Sequence, residues 1–269
     1  MNALLRSEYR KLVTTRLWWI LLLATAVYMA FLGGMLALTL TISPDGSGAQ
    51  DAPTAITPET VRSSVYGVAA AFGYVFPVIV GALSITGEYR HNTITPTFLA
   101  EPDRLKVLVA KLLLGAGVGA LFGAVATLCT VGAGAGVLAA TGHPTLLGDP
   151  DTWTLVGRSV LALTVWGVLG VGLGSLITNQ VAAIVVVLVY TQFLEPVVRL
   201  LLTTAGDLGS TVVAYLPGAA GEAITGGSVY SAMGMGNLLP WVGGLALLAL
   251  YALVLAAVGA ATSLRKDAG

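Results

Sequence analysis

Charge is what this sequence has least of. Acidic and basic residues make up 10% of its 269 positions, against roughly a quarter in a soluble domain. That is too little polar material to clothe a globule of this size in water. The 13 basic and 13 acidic residues cancel, which removes the positive footprint that a nucleic-acid partner would require. Cysteine occurs once, as Cys129 inside an apolar run, so no intrachain disulfide can form. His91 and His143 are the only histidines, and neither opens an H-E-x-x-H pattern, so there is no metal-ligand spacing. An intramembrane serine protease would need a base placed beside its nucleophile, yet both histidines fall in polar connections on opposite sides of the topology drawn below. A Walker loop needs lysine followed by serine or threonine. Lys11, Lys106, Lys111 and Lys266 precede Leu12, Val107, Leu112 and Asp267 instead. No catalytic residue is assigned, and ATP hydrolysis by that chemistry is excluded for this chain.

What the sequence does have is long apolar runs, several exceeding the ~20 residues that carry a helix across a bilayer. They predict an all-α polytopic membrane protein with six transmembrane helices, near residues 17–42, 65–86, 107–140, 158–177, 181–202 and 241–264. Trp18 and Trp19 open the first span at interfacial depth. That run is longer than a signal-peptide core and lacks a clear cleavage site, so it is expected to stay as an anchor. Pro77 should kink the second span. The third is long enough to project from the bilayer or tilt within it. Thr178, Asn179 and Gln180 make a tight hairpin between the fourth and fifth. Residues 43–64 read as a solvated loop. Residues 203–240, with breakers at Pro217 and Pro240, read as an extracellular segment whose short helices lie in or dip into the outer interface.

Basic residues orient the chain. Arg6, Arg10, Lys11, Arg16, Arg90, Arg104, Lys106, Lys111, Arg265 and Lys266 fall on one side, and only Arg62, Arg158 and Arg199 on or near the other. The positive-inside rule puts the first side, with the N-terminus and C-terminus, in the cytoplasm. Within the spans, Gly115, Gly119 and Gly123 recur at four-residue spacing, as do Gly132 with Gly136 and Gly170 with Gly174. Such ridges let helix backbones approach closely, within one bundle or between subunits.

Two cytoplasmic stretches stand out. Residues 1–16 form an N-terminal amphipathic interface helix, with Leu5, Tyr9 and Leu12 on one face. It is either an anionic-lipid anchor or a docking surface on which Glu8 and Arg10 meet a soluble partner. The loop from Gly87 to Lys111 reads GEYRHNTITPTFLAEPDRLKVLVAK. Thr95 before Pro96 suits a helix start, Pro102 stops that helix after little more than a turn, and Asp103 can cap the next. A short crosswise helix then presents Phe98 and Leu99, either to a partner or to the lipid headgroups.

The SEYRKL element (Ser7 to Leu12), the GEYRHNTITPTFL loop (Gly87 to Leu99) and the six spans together resemble the ABC type-2 permease family. These are membrane subunits of bacterial ATP-binding-cassette exporters, similar to those of actinobacterial drug and antibiotic export systems. Glu88 and Thr93 fit the family's loop. Asn92 stands where the family has glycine, and asparagine also tolerates a left-handed backbone. The resemblance implies a coupling helix seated in a groove of a nucleotide-binding ATPase subunit, with Glu88, Arg90, Thr93, Phe98 and Leu99 as contacts. It also implies two ATPase copies and a second copy of this permease or a related one. ATP and Mg would sit on the partner subunit and no cofactor on this chain. The expected location is the bacterial cytoplasmic membrane, and the expected activity export of a hydrophobic or amphipathic cargo such as a drug, antibiotic, lipid or peptide.

Glu195 and Arg199 lie four residues apart in the outer part of the fifth span. Charges in lipid face a partner or a wet cavity, so this is either an intrahelical pair reaching outward or part of the substrate pathway or gate. A secondary transporter would show interrupted helices with polar clusters at the midplane. A non-transporting scaffold would share the same packing residues.

Overall fold

The computed structural model describes residues 2–42, 57–58, 61–227, 230 and 237–262. Most of the expected loop 43–64, and the cations Arg265 and Lys266, lie outside the described residues. Among the described residues every regular element is helical, and six segments are long and apolar enough to cross a bilayer. The protein is an all-α polytopic membrane protein.

The chain opens with α1 (Asn2–Thr14) and the first span α2 (Leu17–Ile42). The second span is broken. A wide π-type turn at Val61–Tyr66 leads into α3 (Val68–Phe72), and α4 (Val75–Arg90) follows. The break lies at Gly73 and Tyr74, just ahead of Pro77, whose missing N–H leaves the Gly73 carbonyl without its regular helical partner. Next come α5 (Ile94–Ala100) and α6 (Arg104–Ala140). Asp103 caps α6 as expected, accepting from the Leu105 and Lys106 amides at 3.1 and 3.2 Å. At ~1.5 Å per residue, the 37 residues of α6 far exceed a hydrocarbon core of ~30 Å, so this helix must extend beyond it.

Helix α7 (Pro150–Leu176) starts at Pro150 rather than near Arg158. Asp149 caps it through the Asp151 amide and Pro150 takes the first helical position, where a proline costs no hydrogen bond. The fifth span consists of α8 (Gln180–Val189), a π-type turn at Tyr190–Leu194 and α9 (Glu195–Thr203). Pro196 supplies the cause of that turn, since a missing amide donor loosens the preceding helix. The short helices α10 (Asp207–Val213) and α11 (Pro217–Thr225) come before the last span, α12 (Trp241–Ala261).

The second and fourth spans form the centre of the bundle, while α2, the fifth span and α12 leave most of their surface outward. Small residues allow this packing. Gly115, Gly119 and Gly123 on α6 abut α7 at Gly167, Leu163 and Val160, and Gly170 and Gly174 on α7 abut α4 at Val78 and Ala82. These ridges therefore serve contacts within the chain, whereas Gly132 and Gly136 face open space. Tyr74 stacks on Trp166 at 4.3 Å between ring centroids, closing the middle of the core.

A leucine at position 170 would drive its side chain into the α4 backbone at Val78. Gly170→Leu is expected to destabilise the detergent-purified protein by about 1–3 kcal/mol or more, read as a lowered thermal unfolding midpoint. Gly132→Leu, with nothing nearby to meet, should leave the midpoint unchanged.

Candidate functional site

The end of the bundle that carries α1 and α5 is organised by a buried network of four charges. Lys111 on α6 lies one turn inside an apolar run, where a bare ammonium would be costly. Its Nζ stands 2.6 Å from Glu8 Oε2, 2.6 Å from Glu88 Oε1 and 2.8 Å from the Ser84 carbonyl oxygen. All three of its protons are thus placed. Lys11 on α1 donates to Glu8 Oε1 at 2.6 Å, to Glu88 Oε1 at 2.8 Å and to the Thr97 hydroxyl at 3.1 Å. Thr97 in turn lies 3.0 Å from Glu88 Oε2. Two carboxylates and two ammonium groups balance, and every carboxylate oxygen has a donor. Burial pulls the Lys11 ammonium down, but hydrogen bonds and attraction from Glu8 and Glu88 outweigh it and hold its pKa above the ordinary 10.5.

The network joins four elements: α1 through Glu8 and Lys11, α4 through Glu88, α6 through Lys111, and α5 through Thr97. The turn between α4 and α5 is tied as well. The Thr93 amide donates to the Glu88 carbonyl at 2.9 Å, and Asn92 takes the left-handed conformation at φ 55°. Helix α5 begins after Thr93 rather than Thr95, so Pro96 falls within the first turn, where its missing N–H costs nothing.

Glu8 and Glu88 are buried beneath the surface, while Arg10, Arg90 and Thr93 are exposed. Arg90 also reaches Gln180 at the start of α8, 3.2 Å away. Phe98 is half-buried against Ile85, Leu108, Val171 and Ala256, with the Arg104 guanidinium 5.0 Å from its ring centroid. Leu99 alone of the pair stands out, at 79% exposure. Lys11, Thr97 and Lys111 were not singled out from sequence. The available signal was Lys111 itself, a lone lysine inside a span.

Residues 4–194 match the model of the ABC-2 family transporter proteins, a stretch that contains every member of this network. The chain belongs to the ABC-2 family. It is a membrane permease of an ABC transporter, a multi-pass membrane subunit of a kind that is typically non-enzymatic. No curated protein matches the sequence.

A second buried charge cluster lies at the other end of the permease. Glu195 and Arg199 on α9 do not reach outward to water. Both are buried, and they pair within the helix through Arg199 Nη2 at 2.8 Å and Nε at 3.2 Å to Glu195 Oε1. Arg199 Nη1 meets Glu222 on α11 at 2.9 Å, and Tyr230 lies 4.9 Å beneath the guanidinium. Glu195 also accepts from the Gly218 and Ala219 amides at 3.1 and 3.2 Å, capping the N-terminus of α11, where carboxylates are favoured. A side chain at Gly218 would collide with that carboxylate. The arrangement locks the segment after the fifth span onto α9. Glu222, within the apolar run PGAAGEAIT, was the missed partner.

Removing one member of a buried ion network leaves a charge stranded, at about 3–5 kcal/mol. Lys111→Met is expected to lower stability by that order in a denaturation experiment, and Lys11→Met by less because Lys11 is partly exposed. The raised Lys11 pKa sets the sign of the pH effect. Its contribution is fully present below pH 10.5 and is lost as pH rises through the higher folded-state value. Stability measured from neutral to strongly alkaline pH should therefore fall only at the alkaline end.

Proposed function

We propose that this permease is the membrane half of an exporter that draws its energy from a separate nucleotide-binding ATPase subunit, with α5 as the coupling helix. The observation that carries the reading is Leu99. It is a large apolar side chain left 79% exposed on a short helix whose other contacts are fixed from below by buried charges. An apolar group held out on a rigid mount suits a contact that must both bind and transmit force. Arg10, Arg90 and Thr93 are exposed as well, and in this reading they form the polar rim of the docking surface. Phe98 acts from within, packing α5 onto the spans, and Glu8 and Glu88 act by holding that surface in place.

In the assembly we envisage, two copies of the ATPase, carrying ATP and Mg, sit beneath two permease chains, this one and a second copy or a related chain. Both termini face the cytoplasm, in keeping with the basic residues, and the membrane is the bacterial cytoplasmic membrane. ATP binding favours one of two arrangements of the ATPase pair, and only a partner that binds those arrangements differently can be shifted by it. The firm tie from α5 to the second and third spans supports such transmission. At the outer end, Glu195, Arg199 and Glu222 are placed to hold the exit closed until α9 and α11 separate. The spans are mostly Ala, Val, Leu and Gly, which favours a hydrophobic or amphipathic cargo. A broken second span also fits a secondary transporter, but the carboxylates of both clusters are already engaged: Glu8 and Glu88 by two lysines and Thr97, Glu195 by Arg199 and two amides, and Glu222 by Arg199.

Co-purification with the ATPase subunit and measurement of ATP turnover test this reading. Losing a central apolar anchor costs about 2 kcal/mol or more, roughly thirtyfold in affinity. Leu99→Asp is expected to weaken the complex by that factor and abolish cargo-stimulated turnover while the permease stays folded. A complex of unchanged affinity and turnover would rule out α5 as the coupling element.

A further inference from the structure

A cavity of about 520 Å³ opens beside the cytoplasmic charge network, lined by the end of α1, the start of α2, α4, α6 and Gln180. One side is apolar, formed by Leu21, Val80, Leu83 and Leu114. Glu8 and Glu88 also line it, but their oxygens are all taken by Lys11, Lys111 and Thr97, and the group is neutral. That group offers a cation nothing. Arg16 and His91, also in the lining, are exposed. Among the described residues neither side chain has a hydrogen-bond or ion-pair partner. Arg16 is therefore an uncompensated positive charge at the edge of an apolar slot. Trp18 shares the lining, its indole nitrogen 3.4 Å from the Val13 carbonyl oxygen. Tryptophan in that setting marks the depth where acyl chains meet headgroups.

A guanidinium suits a phosphate or carboxylate through paired, charge-assisted hydrogen bonds. The slot beside it suits hydrocarbon, and its volume is that of a small-molecule site. We infer that this cavity binds an anionic amphiphile of the inner leaflet. Arg16 and His91 hold the headgroup, and the first carbons of the chain lie against Leu21, Val80, Leu83 and Leu114. The choice of leaflet rests on the orientation proposed above, whereas the binding chemistry does not. The occupant is either a resident phospholipid or the cargo on its way in, and both present the same chemistry.

The test uses lysophosphatidylglycerol and lysophosphatidylcholine of equal chain length, titrated onto the full-length permease in neutral detergent and followed by native mass spectrometry. The anionic lipid should bind at least tenfold tighter. Arg16→Gln should remove most of that preference, while Lys106→Gln, an exposed cation at the same end held only by Asp103, should leave it intact. Equal affinity for the two headgroups, or an Arg16→Gln variant that behaves as wild type, would overturn the site. Arg16 has no internal partner, so its replacement removes no fold contact, and unchanged thermal unfolding verifies this. In the complex with the ATPase, stimulation of turnover by the bound anionic lipid marks it as cargo, and binding without stimulation marks it as resident; either supports an anion site. Failure of the headgroup preference would leave the exporter reading standing, because that reading is tested by ATPase binding and Leu99.

Discussion

Everything at the α1–α5 end of this permease depends on one constraint: a lysine placed inside a membrane span must find carboxylates. Lys111 meets that need with Glu8 and Glu88, and Lys11 completes a neutral set. In low dielectric such a set is an all-or-none arrangement, because any partner removed leaves a charge that lipid cannot solvate. Its members come from the N-terminal helix, the second span and the third span, and Thr97 brings in α5. A short helix of seven residues has little stability alone. Here it acquires a fixed position from outside itself, and the exposure of Leu99 follows from that mount.

The opposite end repeats the principle with different parts. Arg199 stands between Glu195 and Glu222, and Glu195 also satisfies two amides at the start of α11. Between the two charge clusters, glycines that bring α7 close to α4 and α6 hold the bundle among the described residues. Lipid supplies no hydrophobic drive between helices, so close packing must do most of the holding. The architecture is therefore polar and specific at its ends and tightly packed in its middle. That distribution suits a protein whose ends must receive and release force while its spans shift against one another.

Much of this was legible in the sequence. Six runs of apolar residues can hardly do anything but cross a membrane, and the Asp103 cap and the left-handed turn at Asn92 follow from local chemistry that needs no tertiary contact. Hydropathy placed the first span at Leu17–Ile42 and the start of the last at Trp241, but it misplaced boundaries that caps and prolines set. Helix α7 begins at Pro150 because Asp149 and Pro150 form a cap, although its first turns are too polar to read as a span. The second span breaks at Gly73 and Tyr74, earlier than Pro77, because proline disturbs the turn before it. The partners of the charged residues were not legible. Glu8 is 103 residues from Lys111 along the chain and Arg199 is 23 from Glu222, and no local pattern connects them. Surface placement was the natural reading for Glu8 on a polar helix face and for Glu88 in a polar loop until a buried lysine claimed both.

The central claim is that α5 and the adjoining ends of the second and third spans move as one body. Its most direct test is the distance between spin labels at Leu99 and Leu113 in the complex with the ATPase, by pulsed electron resonance, with Cys129 replaced by serine. The account predicts one narrow distribution that stays in place when ATP binds, even as the distance from Leu99 to its counterpart on a second permease chain changes. A Leu99–Leu113 distance that broadens or shifts on ATP binding would mean that α5 swings independently of the spans, and the buried network would not be the coupling element.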